Sequence, residues 1–171
     1  MVTGALVSVE EYLSTSYRPD REYIDGVIEE RNLGEDDHSG LQGALTVYLS
    51  LRQKQWKTRV RAEQRVQVSK TRFRIPDICV VLNPGPREPI ITKPPFICIE
   101  ILSKKDTVEG LQARIDNYLA FGVPFVWVIN PRSRRAFVYT AEGSHEAKDG
   151  VLRTANPEFL VPLAEVFESI E

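Results

Sequence analysis
Two short apolar runs constrain this chain more than any other stretch. They are Arg74-Ile75-Pro76-Asp77-Ile78-Cys79-Val80-Val81 and Phe96-Ile97-Cys98-Ile99-Glu100-Ile101-Leu102. Both are rich in β-branched residues and read as buried strands. Each carries one carboxylate in its middle, and an ionised carboxylate in a strand core is costly unless something pairs with it. Side chains alternate along a strand, so Asp77 shares a face with Cys79 and Val81, and Glu100 with Cys98 and Leu102. If the strands run antiparallel, opposed residues have a constant index sum. Pairing Asp77 with Glu100 then also pairs Cys79 with Cys98. Opposed side chains lie about 4.5–5.5 Å apart at Cβ. Two carboxylates at that distance stay charged together only with a cation between them; otherwise one pKa rises. The connection from Asn83 to Pro95 is long and proline-rich, which leaves room for a register shift.

The 171 residues suffice for one domain with a real core. A net charge of −2 gives no global argument for nucleic acid, so any such argument is local. The two cysteines lie in apolar strands and read as buried thiols in a reducing compartment. No signal-peptide pattern opens the chain, and no apolar run reaches the roughly 18 residues of a membrane span. The expectation is a soluble cytoplasmic protein.

Ser8 caps a short helix, with Glu11 three residues on. Asp25-Gly26 predicts a hairpin turn whose flank carries Glu22. His38-Ser39 opens a helix with Ser39 as N-cap. His38 is either a surface histidine or a group approaching a phosphate or carboxylate. From Thr58 to Val68 the chain alternates. Arg59, Arg61, Glu63, Arg65 and Gln67 take one face of an expected single strand, and Arg72 and Arg74 extend the positive stripe. That stripe is either a charged face that blocks edge pairing or a track for phosphates. Asp106 with Glu109 reads as a capping pair for a helix running to Phe121, with Gly122 beyond its end. Val108, Leu111, Ile115 and either Tyr118 or Leu119 form its apolar stripe. Arg114 projects beside the stripe, where it either snorkels or reaches a negative centre. The order from Phe96 to Asn130 fits a βαβ crossover. A short strand is expected over 150–153 and a terminal helix over 163–170.

Taken in order, Glu22-Tyr23-Ile24-Asp25-Gly26, His38-Ser39, Arg74 to Ile78, Pro94-Pro95 through Ser103, Arg114 to Tyr118 and Gly122 to Trp127 resemble the PD-(D/E)XK nuclease superfamily. Within it they resemble the bacterial putative restriction endonuclease family, long catalogued as a domain of unknown function. The resemblance implies an α/β, restriction-endonuclease-like fold. It has a central mixed β-sheet flanked by helices, with core order αβββαβ and an N-terminal helix and hairpin. It implies one domain over 1–171, made of an extension (1–34), a nuclease core (35–140) and a C-terminal strand and helix (141–171). It also implies a metal-dependent endonuclease acting on DNA. Asp77, Glu100 and the Ile101 carbonyl would hold Mg²⁺ or Mn²⁺, with Glu22 or Glu63 as an added carboxylate. The superfamily's lysine two residues after the second acid is Leu102 here. The resembling family's helix lysine corresponds to Arg114, which keeps the charge but cannot act as a base. Arg59, Arg61, Arg65, Arg72, Arg74, Lys104 and His38 are the expected nucleic-acid contacts, and a homodimer is plausible for cutting both strands. Two alternatives stand beside this: a degenerate nuclease-fold module that binds nucleic acid or protein, and a structural role in which the carboxylates satisfy Arg74, Arg114 or backbone donors.

Overall fold
A computed structural model describes residues 5–32 and 34–171. The N-terminal region comprises α1 (Val9–Ser14), β1 (Glu22–Ile24) and β2 (Val27–Glu29), followed by α2 (Asp36–Ser50) and the short α3 (Gln53–Trp56). Next come β3 (Thr58–Ala62), β4 (Val66–Ser69), β5 (Arg72–Arg74), β6 (Ile78–Leu82), β7 (Ile97–Ile101) and α4 (Val108–Phe121). The chain ends with β8 (Phe125–Asn130), β9 (Arg135–Thr140), β10 (Gly143–Glu146), β11 (Val151–Arg153), β12 (Leu160–Pro162) and α5 (Leu163–Phe167), closed by a 3-10 turn.

A six-stranded mixed sheet, ordered β10-β9-β8-β7-β6-β3, forms the centre. Strands β7 and β8 run parallel across α4, as a βαβ unit requires. A four-stranded sheet, β2-β1-β5-β4, joins the expected Asp25-Gly26 hairpin to the middle of the chain. Both hairpin residues have positive φ (50° and 96°), which suits a tight turn between twisted strands.

Side-chain alternation sorts the central sheet into two cores. Ile78, Val80, Ile97, Ile99, Trp127 and Ile129 pack against Leu41, Leu45 and Leu49 of α2 and against Leu163 and Val166 of α5. The opposite parity, Cys79, Cys98, Val126 and Val128, packs against Ile115 and Tyr118 of α4 and Val66 and Val68 of β4. Each such large apolar side chain contributes about 1.5–3 kcal/mol on burial.

Several local expectations are corrected. The strand expected over 58–68 is two strands in different sheets, because Glu63 adopts a left-handed φ of 54° and turns the chain. The Asp77 strand is likewise split. Pro76 lacks an N–H for a ladder, β5 ends at Arg74, and Asp77 lies one residue before β6. Helix α2 begins at Asp36, ahead of the expected Ser39 cap. Thr107 caps α4 by accepting from Gly110 N–H (3.0 Å), and Asp106 turns instead to Ser103 and Arg114. Val108 is 81% exposed and does not belong to the apolar stripe.

Candidate active site
The β6–β7 register fixes the site's geometry. Ile78 opposes Ile99, Cys79 opposes Cys98, and Val80 opposes Ile97. The index sum is the one derived from the sequence, and its continuation past the end of β6 sets Asp77 against Glu100. Cys79 and Cys98 form the fully buried floor behind them. Burial pushes the Cys79 thiol up to about 12, so this floor is chemically quiet.

Asp77 and Glu100 are each 5% exposed. The Ile101 N–H donates to Asp77 Oδ2 at 2.7 Å. Arg31 Nη2 lies 3.3 Å from Oδ1, and His38 Nε2 lies 3.4 Å from Oδ2. The Asp77 carbonyl accepts from Gln42 Nε2 (3.0 Å) and from Glu63 N–H (3.1 Å), which ties it to α2 and to the turn after β3. The Ile101 N–H points toward the β6 flank, whereas the Leu102 N–H bonds Ile129 on the β8 side. N–H and C=O of one strand residue project to the same side, so the Ile101 carbonyl also faces the β6 flank.

The Tyr118 hydroxyl donates to Glu100 Oε1 at 2.7 Å. Arg114 Nε lies 3.3 Å from Oε2 but makes no aligned hydrogen bond there. Arg114 Nη2 donates to Asp106 Oδ1 at 2.8 Å. Burial first, and the Asp77 charge second, push the Glu100 carboxyl up to about 8 against the opposing pull of Arg114. Burial alone would also raise Asp106. The Ser103 N–H and Arg114 instead hold it below the usual carboxylate range. The Asp77 hydrogen bond raises His38, whose Nδ1 is buried without a partner among the described residues.

Glu22 sits beside this group. Arg74 Nη1 donates to its Oε2 and the Ile75 N–H to its Oε1, both at 2.8 Å. Arg74 is buried and also donates to Asn117 at 2.8 Å. A small cleft of about 80 Å³ opens in front, lined by Glu22, Arg31, His38, Asp106 and Arg114 among others. The expected basic stripe is dispersed. Arg65 pairs with Asp20, Arg72 with Asp25, and Arg74 with Glu22, while Arg59 and Arg61 stay on β3. Lys104 is exposed and pairs with Glu35 at 2.9 Å. The sequence reading missed Arg31, Gln42 and Tyr118 as partners of the acids. Tyr118 alone carried a signal, since it lies one helical turn beyond Arg114.

The donors fit a hard divalent cation. The set is all oxygen, and Glu100 has a charge deficit that a cation would relieve. Among the described residues, no three Asp, Glu, His or Cys side chains converge closely enough to hold an ion unaided. The fit is therefore two carboxylates and a carbonyl completed by water, as Mg²⁺ commonly accepts.

Residues 9–166 match the family described as "Putative restriction endonuclease". The chain belongs to that family. Restriction-endonuclease-like proteins generally use divalent metals and act on nucleic acid. The crystal structure of a "putative nuclease belonging to DUF820" from Anabaena variabilis ATCC 29413 superposes with a TM-score of 0.83 at 23% identity, covering 96% of this chain and 99% of that one. That likeness establishes that the two chains share a fold. No curated protein matches the chain. No helix among the described residues is long and apolar enough to cross a membrane.

Proposed function
We propose that this restriction-endonuclease family member is a metal-dependent endonuclease that hydrolyses DNA phosphodiester bonds. The observation that carries the reading is the opposed pair Asp77 and Glu100, buried at the end of β6 and β7, with the Glu100 charge left under-compensated. Asp77, Glu100 and the Ile101 carbonyl would hold Mg²⁺ or Mn²⁺, with Glu22 adding negative potential behind them. Such an ion supplies Lewis-acid polarisation of a phosphoryl oxygen and lowers the pKa of water. Arg114 is anchored through Asp106 and presents fixed positive charge where negative charge develops on the phosphoryl group. It cannot take a proton from water. A two-fold dimer would let two such sites cut both strands, and a reducing cytoplasm would keep Cys79 and Cys98 as thiols.

The test is Mn²⁺-dependent cleavage of plasmid and linear DNA, with Asp77→Ala alongside. Loss of cleavage in the variant supports the reading, and undiminished cleavage refutes it. A second reading is a binding module that no longer cuts. It is favoured by the oxygens of Asp77 already facing Ile101, Arg31 and His38, and by leucine at position 102 where the superfamily has its lysine. Calorimetric titration with Mn²⁺ separates the two, because the degenerate site takes up no metal.

A further inference from the structure
A second cleft lies away from the carboxylates. It is about 710 Å³ and runs between the β3–β6 face and the loop over 83–94. That volume falls within the roughly 300–1,000 Å³ of small-molecule sites. Four cations line it, Arg59, Arg61, Arg87 and Lys93, and none of them forms an ion pair among the described residues. The acid in the wall, Glu88, accepts from Thr92 instead (3.1 Å). The chain is acidic overall, with a net charge of −2, so a local convergence of unpaired cations needs a reason. Edge protection on β3 accounts for Arg59 and Arg61. It does not account for Arg87 and Lys93, which the loop brings over the same face.

The cleft is held in shape. Arg59 Nη2 donates to the Gly85 carbonyl at 2.6 Å, and Gln64 Nε2 to the Glu88 carbonyl at 2.8 Å. Ile91 then stitches the loop to the start of β4: its N–H bonds Arg65 and its carbonyl accepts from Gln67, both at 2.9 Å. Arg61 spends one N–H on the Val60 carbonyl (2.8 Å), leaving the other guanidinium donors for a ligand. Val81, Leu82 and Ile91 supply apolar wall. Fixed guanidinium forks suit phosphate oxygens, and an apolar wall with arginine planes suits a base.

We infer that this cleft is a second ligand site, which binds a nucleoside phosphate. The phosphate meets Arg61, Arg87 and Lys93, and the base or sugar lies on the Val81–Ile91 wall. The ligand is either a free nucleotide or one nucleotide of a strand whose scissile bond lies elsewhere; the strand source rests on the endonuclease reading.

The experiment uses the full chain in EDTA at low salt, titrated by calorimetry with AMP in one arm and a short mixed-sequence deoxyoligonucleotide in the other. Binding of either probe is expected. The exposed double variant Arg87→Glu/Lys93→Glu should weaken it about tenfold, and should lower the salt slope for the oligonucleotide by about two. Binding of AMP alone assigns a free nucleotide, and tighter binding of the oligonucleotide assigns a strand. If the double variant melts abnormally, Arg61→Gln is held to the same tenfold criterion. Absence of binding in both arms, or unweakened binding by the variant, overturns the inference. Undiminished DNA cleavage by Asp77→Ala refutes the carboxylate reading and leaves this site standing.

Discussion
Replacing Glu100 with glutamine isolates the cost of its charge from the shape of its side chain. The carboxyl goes from an ordinary value of 4.5 to about 8 on folding. Each unit is worth about 1.4 kcal/mol. The folded chain binds this proton more tightly than the unfolded chain, so the stability from Glu100 is fully present below pH 4.5. It is lost as pH rises toward about 8. Between about pH 5.5 and 8.5 the loss comes to roughly 3 kcal/mol. Glutamine still accepts from the Tyr118 hydroxyl but cannot ionise. The variant should match the wild type within about 1 kcal/mol at the acid end and exceed it by roughly 3 kcal/mol at the alkaline end.

Urea unfolding in EDTA across that range measures the difference. His38, raised by its bond to Asp77, also makes stability fall with rising pH. Both proteins carry it, so it cancels. A difference that stays flat with pH refutes the argument, because it means that Arg114 keeps Glu100 ionised throughout. Adding Mn²⁺ should then restore the wild type selectively, by about 2.7 kcal/mol at a hundredfold excess over Kd.

The other predictions concern the groups around this acid. Arg114→Met leaves Asp106 and Glu100 without their guanidinium and should cost about 3–5 kcal/mol in urea unfolding; Arg114→Lys should recover most of that loss. Arg31→Ala removes a cation 3.3 Å from Asp77, so calorimetry should show tighter Mn²⁺ binding than in the wild type even as metal-free stability falls. Binding of Mn²⁺ near pH 7 should release about one proton, read from titrations in buffers of different ionisation enthalpy; release of none would mean that Glu100 carries no proton to displace. Gly122→Ala should cost about 1 kcal/mol or more, since Gly122 has φ 106° and a Cβ there would meet Pro94 at 3.3 Å.

The register of the two carboxylate strands was legible because strand period is two and both runs carry a cysteine at the matching offset. One sum fixed four residues at once. Ser8, Asp25-Gly26 and Gly122 were legible because capping and positive φ are local demands. The break at Glu63 was not. Alternation runs through it unchanged, so Val66 and Val68 read as a continuation of β3 although they pack in a different sheet. Nothing in the local sequence marks a left-handed glutamate, whose cost the tertiary structure offsets. Arg31 was invisible for a related reason. It lies between two elements, where no periodicity assigns a direction, and only the folded chain brings it to Asp77.

The arginines explain why Glu100 is the group that holds a proton. Arg31 bridges Asp77 and Glu63, Arg74 bridges Glu22 and Glu29, and Arg114 bridges Glu100 and Asp106. Three guanidiniums thus serve six carboxylates. Glu29 and Glu63 have side chains 46% and 52% exposed, so water carries much of their charge. That leaves Asp77, Glu22, Glu100 and the half-buried Asp106 sharing three guanidiniums, with His38 beside Asp77 as the further group that can carry positive charge. Asp77 and Glu22 each accept a backbone N–H, and Asp106 accepts from Ser103. Glu100 accepts only a phenol and faces an arginine whose Nε is misaligned. Glu100 is therefore the least compensated of the four, and burial with the Asp77 charge pushes its carboxyl up toward proton uptake when the site is metal-free. A cation between Asp77 and Glu100 would replace that proton. On this accounting Arg114 is held too firmly by Asp106 to neutralise Glu100 alone, and that shortfall is what gives the pair an affinity for a hard ion.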